Sequence, residues 1–233
     1  EGKSLRLECD PCTLALTVTH RGTGQRWVLH GDSEGELRVA HHSTATTAFL
    51  RDAREREVYR YSTSAGECLC LHLRGLPGGV ALSLTFSIPS AEDTLRVELE
   101  PLPTASPTRI FEVRYPGVLA FEADEVQYTV WPHGAGMILP ARHDQEVHAG
   151  MSDYETQVKG LPYALAYSWQ LYQPWWGAVA AKSAYMAIAE TPFEFGLALH
   201  HAAGGPTTVR PVWVSSLGHL AYRRSIRYQF FRE

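Results

Sequence analysis

The chain has 233 residues, 45% of them hydrophobic, with a net charge of −4. Length and apolar content suffice for a sizeable core in a single domain spanning 1–233, and the mild acidity without a basic stripe argues against nucleic acid as a partner. No apolar run approaches the roughly 20 residues of a membrane-crossing helix, so no membrane span is expected.

In chain order the dominant period is two, the signature of strands with one buried and one polar face. Leu5, Leu7 and Cys9 alternate with Arg6 and Glu8, and after an Asp10-Pro11 turn Leu14, Leu16 and Val18 alternate with Ala15, Thr17 and Thr19. A glycine-rich turn, His20-Arg21-Gly22-Thr23-Gly24, leads into a strand ending Trp27-Val28-Leu29. Residues 36–42, 57–63, 67–74 and 79–88 read as strands separated by Gly31-Asp32, Ser64-Ala65-Gly66 and Pro77-Gly78-Gly79. Val80, Leu82, Leu84 and Phe86 form a buried row, and 94–102 pairs with it through the 89–93 connection. The Pro-rich segment 103–108 is short enough to be a loop within the domain. Strands follow at 109–115 and 126–131, then an aperiodic stretch, 141–159, whose length marks it as a long and functional loop. Further strands are expected at 164–172, 177–181, 185–190, 194–201, 207–214 and 225–231. No amphipathic helix longer than three turns and no internal repeat is visible. About fifteen to twenty short strands at this spacing predict an all-β fold, a large antiparallel sandwich with few or no helices. The start at Glu1 without Met and the end within a strand pattern lead us to expect a piece of a longer protein.

The cysteines fall as Cys9-Asp10-Pro11-Cys12, which reads as a hairpin turn, and Cys68-Leu69-Cys70, which alternates as a strand. On that strand Leu69, Leu71 and Leu73 share one face, and Cys68, Cys70 and His72 the other. The second pair lacks the knuckle spacing of a zinc site, so reduced thiols packed as small apolar groups are expected and no metal or other cofactor is assigned; a disulfide between neighbouring strands stays open. No P-loop, GxGxxG, HExxH or GxSxG is present, which leaves nucleotide binding and a hydrolase elbow without support. His41-His42 and His200-His201 would each point to opposite faces of a strand. Carboxylates such as Glu55, Glu57 and the 122–125 cluster read as solvated edges, and nothing fixes two of Asp144, Glu146, Asp153 and Glu155 at a glycosidase separation.

Trp131, Trp169, Trp175 and Trp176 gather in 131–199, flanked by Gly and Pro, where strands should meet turns. Aromatic rings at loop mouths suit the apolar faces of sugars, and neighbouring His, Arg and Asp suit hydroxyls. The rings would serve equally as plugs at the ends of a sandwich, which composition alone favours.

The runs Trp131-Pro132-His133-Gly134-Ala135-Gly136-Met137-Ile138-Leu139-Pro140, Pro174-Trp175-Trp176-Gly177 and Tyr185-Met186-Ala187-Ile188-Ala189-Glu190-Thr191-Pro192 resemble the N-terminal β-domain of large TIM-barrel glycoside hydrolases of the endo-α-N-acetylgalactosaminidase and α-galactosidase-like kinds. The resemblance covers the whole chain loosely and about seventy residues more closely. It implies a galactose-mutarotase-like β-supersandwich in a bacterial enzyme, cytoplasmic or secreted, packed on a C-terminal catalytic barrel of the same chain that holds the catalytic carboxylates. The domain itself would be non-catalytic, with Trp131, His133, Arg142, His143, Asp144, Trp175 and Trp176 nearest a carbohydrate such as an α-galactoside or mucin-type glycan, or nearest the barrel. A stand-alone aldose epimerase or polysaccharide lyase on the same fold, or a carbohydrate-binding module, remain alternatives. The epimerase signature of Asn-His-x-Tyr-Phe-Asn type is missing, and a His and a carboxylate converging in one concave pocket would favour that reading.

Overall fold

The computed structural model describes residues 4–29, 35–41, 44–90, 92–122, 125–131, 137–140, 147–149, 173–201, 207–215 and 219–232. Its first strands are β1 (Leu5–Cys9), β2 (Leu16–His20), β3 (Arg26–Leu29), β4 (Glu36–His41) and β5 (Thr44–Phe49). The middle of the chain forms β6 (Glu55–Ser62), β7 (Gly66–Leu76), β8 (Val80–Pro89), β9 (Thr94–Pro101), β10 (Arg109–Arg114) and β11 (Leu119–Phe121). Then come β12 (Val126–Trp131), β13 (Met137–Pro140), β14 (Val147–Ala149), β15 (Trp175–Ala180), β16 (Ser183–Ala189), β17 (Phe195–His201), β18 (Thr207–Val214) and β19 (Arg224–Arg232). Among the described residues the helical segments are two three-residue 3-10 turns, Leu50–Asp52 and Pro77–Gly79.

The strands build three antiparallel sheets. The large one has nine strands in the order β13-β12-β15-β16-β19-β9-β8-β7-β6, the middle one six as β14-β17-β18-β10-β4-β5, and the small one four as β1-β2-β3-β11. The run β6 to β9 is a meander whose turns demand glycine. Gly78 has φ 79° with Thr108 Cγ2 2.7 Å from where a Cβ would lie, and at Gly66 a Cβ would fall 2.1 Å from the Ile88 carbonyl oxygen.

Period-two burial selects the inner rows. Leu71 and Leu73, Leu82, Leu84 and Phe86, Leu95, Val97 and Leu99, and Ile226, Tyr228 and Phe230 line the inner face of the large sheet. Both other sheets pack on it. From the small sheet, Trp27 meets Phe230 with ring centroids 4.6 Å apart, and Phe121 meets Tyr185 at 5.7 Å. From the middle sheet, Phe195 lies 5.8 Å from Trp176 of the large sheet, and within its own sheet 4.7 Å from Trp213 on β18. The fully buried Trp213 has its polar edge satisfied, its indole N–H donating to the Tyr115 carbonyl at 3.0 Å.

Most inner strands show the alternation; β6 and β10 do not, and β5, β11, β13 and β14 were not anticipated from it, β14 lying inside the stretch 141–159 expected to be a loop. β5 shows no apolar row because it is an edge strand mostly of Thr and Ala, with Ala48 buried and residues 45–47 exposed. β11 and β14 are three residues each, too short to display a period. The strand expected at 164–172 lies outside the described residues. Cys9-Asp10-Pro11-Cys12 is a turn in which Asp10 Oδ1 accepts the Cys12 N–H at 2.8 Å and Oδ2 accepts the Thr13 hydroxyl at 2.9 Å. All four cysteines are free; burial pushes the Cys9 thiol up to about 12, and Cys70 is buried with its sulfur 3.4 Å from Ser83 Oγ.

His20, at the end of β2, ties the first hairpin to the last strand. It is 3% exposed, its Nδ1 accepts the Thr23 N–H at 3.1 Å, and Arg232 Nη1 lies 3.3 Å from the same atom. Burial first, then the Arg232 charge, hold this imidazole below its ordinary value of 6.5, against an opposing pull from Asp93. Above that value folded and unfolded chains both carry it neutral. As the pH falls below it, the unfolded chain takes up a proton that the folded chain refuses, so stability drops until the lowered folded value is reached. His20→Asn keeps an acceptor for the Thr23 N–H without this titration. Thermal unfolding followed from about pH 7.5 to about pH 5 should therefore fall less steeply in His20→Asn than in the native chain; parallel curves would contradict the assignment.

Candidate functional site

The end of β12 and the start of β15 bring two of the expected residues together. Val130 pairs with Gly177 and Trp131 with Met137, so Trp131 and Trp175 lie at the same end of neighbouring strands. On its other side Gly177 permits close pairing with β16, since a Cβ there would come 2.6 Å from the Tyr185 carbonyl oxygen. Adjacent strand residues point to opposite faces, and the two tryptophans of β15 divide accordingly. Trp175 is half-buried on the outer face, its indole N–H donating to Gln173 Oε1. Trp176 points inward and is 1% exposed, stacked near Phe195 and edge-on to Tyr228 at 6.2 Å. Trp176, expected nearest a carbohydrate or the barrel, instead has its ring in the core of this domain. His133, Arg142, His143 and Asp144 lie outside the described residues.

Glu190 and Thr191 of the resemblance run form a clamp. Glu190 accepts two bonds from Arg96, at 2.8 and 3.1 Å, and one from the Ser225 hydroxyl at 2.7 Å, with Arg227 Nε at 3.4 Å. Thr191 Oγ1 accepts the Ser225 N–H at 2.9 Å. Burial alone would raise the Glu190 carboxyl, but Arg96 and Ser225 outweigh it and hold the group below the usual range. This carboxylate joins β16, β19 and β9 and stays charged. In the middle sheet the buried Glu112 is likewise paired, with Arg114 Nε at 2.6 Å and Arg38 at 3.8 Å.

The outer face of the large sheet holds a cluster that sequence reasoning missed. The register aligns Glu57, His72, Ser83 and Glu100 in one row across β6 to β9, and Tyr59, Cys70, Thr85 and Glu98 in the next. Glu57, read from sequence as a solvated edge, is the centre of a network: Tyr59 OH donates to it at 2.9 Å, and Arg74 Nε and His72 Nδ1 each lie 3.4 Å from Oε2. A His and a carboxylate thus do converge. Glu57 and His72 touch each other, and His72 also lines a groove with Glu98 and Glu100 on the same face. The Tyr59 hydroxyl foremost, then Arg74 and His72, hold the Glu57 carboxyl below its ordinary value. A general base needs a value raised towards the working pH, so this pair is poorly suited to epimerase acid–base work.

No protein-family model matches the chain, and a search of curated proteins finds no match. Solved structures do match. The α-N-acetylgalactosaminidase NagBb from Bifidobacterium bifidum, in complex with Gal-NHAc-DNJ, is 27% identical with a TM-score of 0.80, covering 100% of this chain and 35% of that one. The same enzyme in its GalNAc complex gives 25% identity and 0.78 over the same shares. An α-mannosidase from Enterococcus faecalis V583 shares the fold alone, at 9% identity and a TM-score of 0.52, over 100% of this chain and 29% of that one. The chain is therefore similar to a β-sandwich portion of a glycoside hydrolase and spans 35% of the length of NagBb.

The two tryptophans of β15 give a direct check on these placements. Trp176→Ala should lower unfolding stability by about 3–5 kcal/mol, as for a large core aromatic, and Trp175→Ala by no more than about 1 kcal/mol. Equal losses in chemical denaturation would contradict the division of the pair between core and surface.

Proposed function

We propose that this chain is the non-catalytic, galactose-mutarotase-like β-sandwich domain of a glycoside hydrolase acting on α-N-acetylgalactosaminides, lying N-terminal to a catalytic barrel that it supports. The observation that carries the reading is the match of the whole chain to 35% of NagBb at 27% identity, which leaves the greater part of that enzyme without a counterpart here. The chemistry of the described residues agrees. The notable carboxylates Glu57, Glu112 and Glu190 are each spent on cationic partners, and none is placed as a glycosidase acid opposite a nucleophile. In this reading the catalytic carboxylates belong to the barrel. Trp131 and Trp175, together with His133, Arg142, His143 and Asp144, form the surface nearest the sugar or the barrel loops.

The test is turnover of a chromogenic aryl α-N-acetylgalactosaminide by the 233-residue chain and by the longest native polypeptide that contains it. The short chain should show no hydrolysis above buffer while the longer one hydrolyses the glycoside. Hydrolysis by the short chain alone would overturn the reading.

A further inference from the structure

The outer face of the large sheet is not flat. Cys70, Ser83 and Thr85 are small residues on β7 and β8, and Cys70 and Ser83 are no more than 9% exposed. Taller side chains rise on both sides: Tyr61 and His72 on one, Glu98, Glu100 and Arg223 on the other. The difference in side-chain height leaves a groove of about 220 Å³ between them, smaller than the roughly 300–1,000 Å³ of typical drug-sized pockets and suited to one ring.

Its chemistry narrows the ligand. Tyr59 and Tyr61 sit two apart on β6, on one face, and are 44% and 45% exposed, so they form an aromatic shelf beside the groove. Arg223 donates to Glu100 Oε2 at 3.0 and 3.1 Å and lies 3.7 Å from Glu98, so the far wall is held in place. Glu57 has its own partner in Arg74. Two lining carboxylates, Glu98 and Glu100, against the single Arg223 repel an anion, and their pairing with it leaves no strong pull on a cation. Each carboxylate nonetheless has acceptor capacity beyond its arginine contacts. Ser83 and Thr85 add hydroxyls, and Tyr61 adds a phenol. Acceptors and hydroxyls facing an aromatic shelf match a pyranose, which is apolar on one face and hydroxylated at its edge.

We propose that this groove is a binding site for a single neutral pyranose residue, stacked on Tyr61 and hydrogen-bonded to Glu98 and Arg223. The site is separate from the Trp131–Trp175 surface and does not rest on the accessory-domain reading: a chain that bound no sugar here would leave the turnover test of that reading untouched.

The experiment is a titration of the 233-residue chain with methyl α-D-galactopyranoside and with N-acetyl-D-galactosamine, read by calorimetry and by backbone amide shifts. At least one sugar should bind saturably, with a Kd on the order of 1 mM, and shift amides of β6 to β9. Tyr61→Ala and Glu98→Gln should each weaken binding about tenfold or more, and Tyr61→Phe by less. The amide map on the native chain keeps the test decisive if a variant fails to fold. Absence of saturable binding by either sugar would overturn the proposal. So would binding that survives Tyr61→Ala and Glu98→Gln, or shifts confined to the Trp131–Trp175 end.

Discussion

A strand offers only every second side chain to each face, and the large sheet of this molecule commits one whole face to burial. Two smaller sheets cover that face, and aromatic pairs join the layers: Trp27 with Phe230, Phe121 with Tyr185, and Trp176 with Phe195. Everything chemically distinctive follows from this division. Side chains that alternate with the core rows emerge together on the outer face, where the register sets Tyr59, Cys70, Thr85 and Glu98 side by side although β6 and β9 are far apart in sequence.

The same division decides the fate of the charged groups. Glu190 is held by Arg96, Arg227 and Ser225, Glu57 by Tyr59, Arg74 and His72, and Glu100 by Arg223. The Glu190 and Glu57 carboxyls, held below their ordinary range by these partners, serve architecture rather than proton transfer.

Much of the fold was legible in the chain because its inner rows are written in Leu, Val and Phe at strict alternation, as in Leu82, Leu84 and Phe86. What escaped lacked that signal: β5 is an edge strand mostly of Thr and Ala, and β11 and β14 have no room for a period. The site was less legible. The paired Trp175 and Trp176 drew attention as one aromatic surface, yet period two alone implies that a strand can present only one of them to the outside, and the core took Trp176. The groove between Tyr61 and Arg223 could not be read locally, since its walls come from strands that only sheet register brings together. Its one sequence signal was Glu57, Tyr59 and Tyr61, an alternating row of polar and aromatic residues on the exposed side of β6.

The central claim is that this sandwich serves a larger hydrolase. The intact mass of the polypeptide from its native source tests it most directly. A sandwich that serves a larger hydrolase requires a mass well above the 25.9 kDa of this chain, with room for a catalytic barrel. A native polypeptide of that same mass would contradict it, and the chemistry would then have to be sought on the sandwich itself.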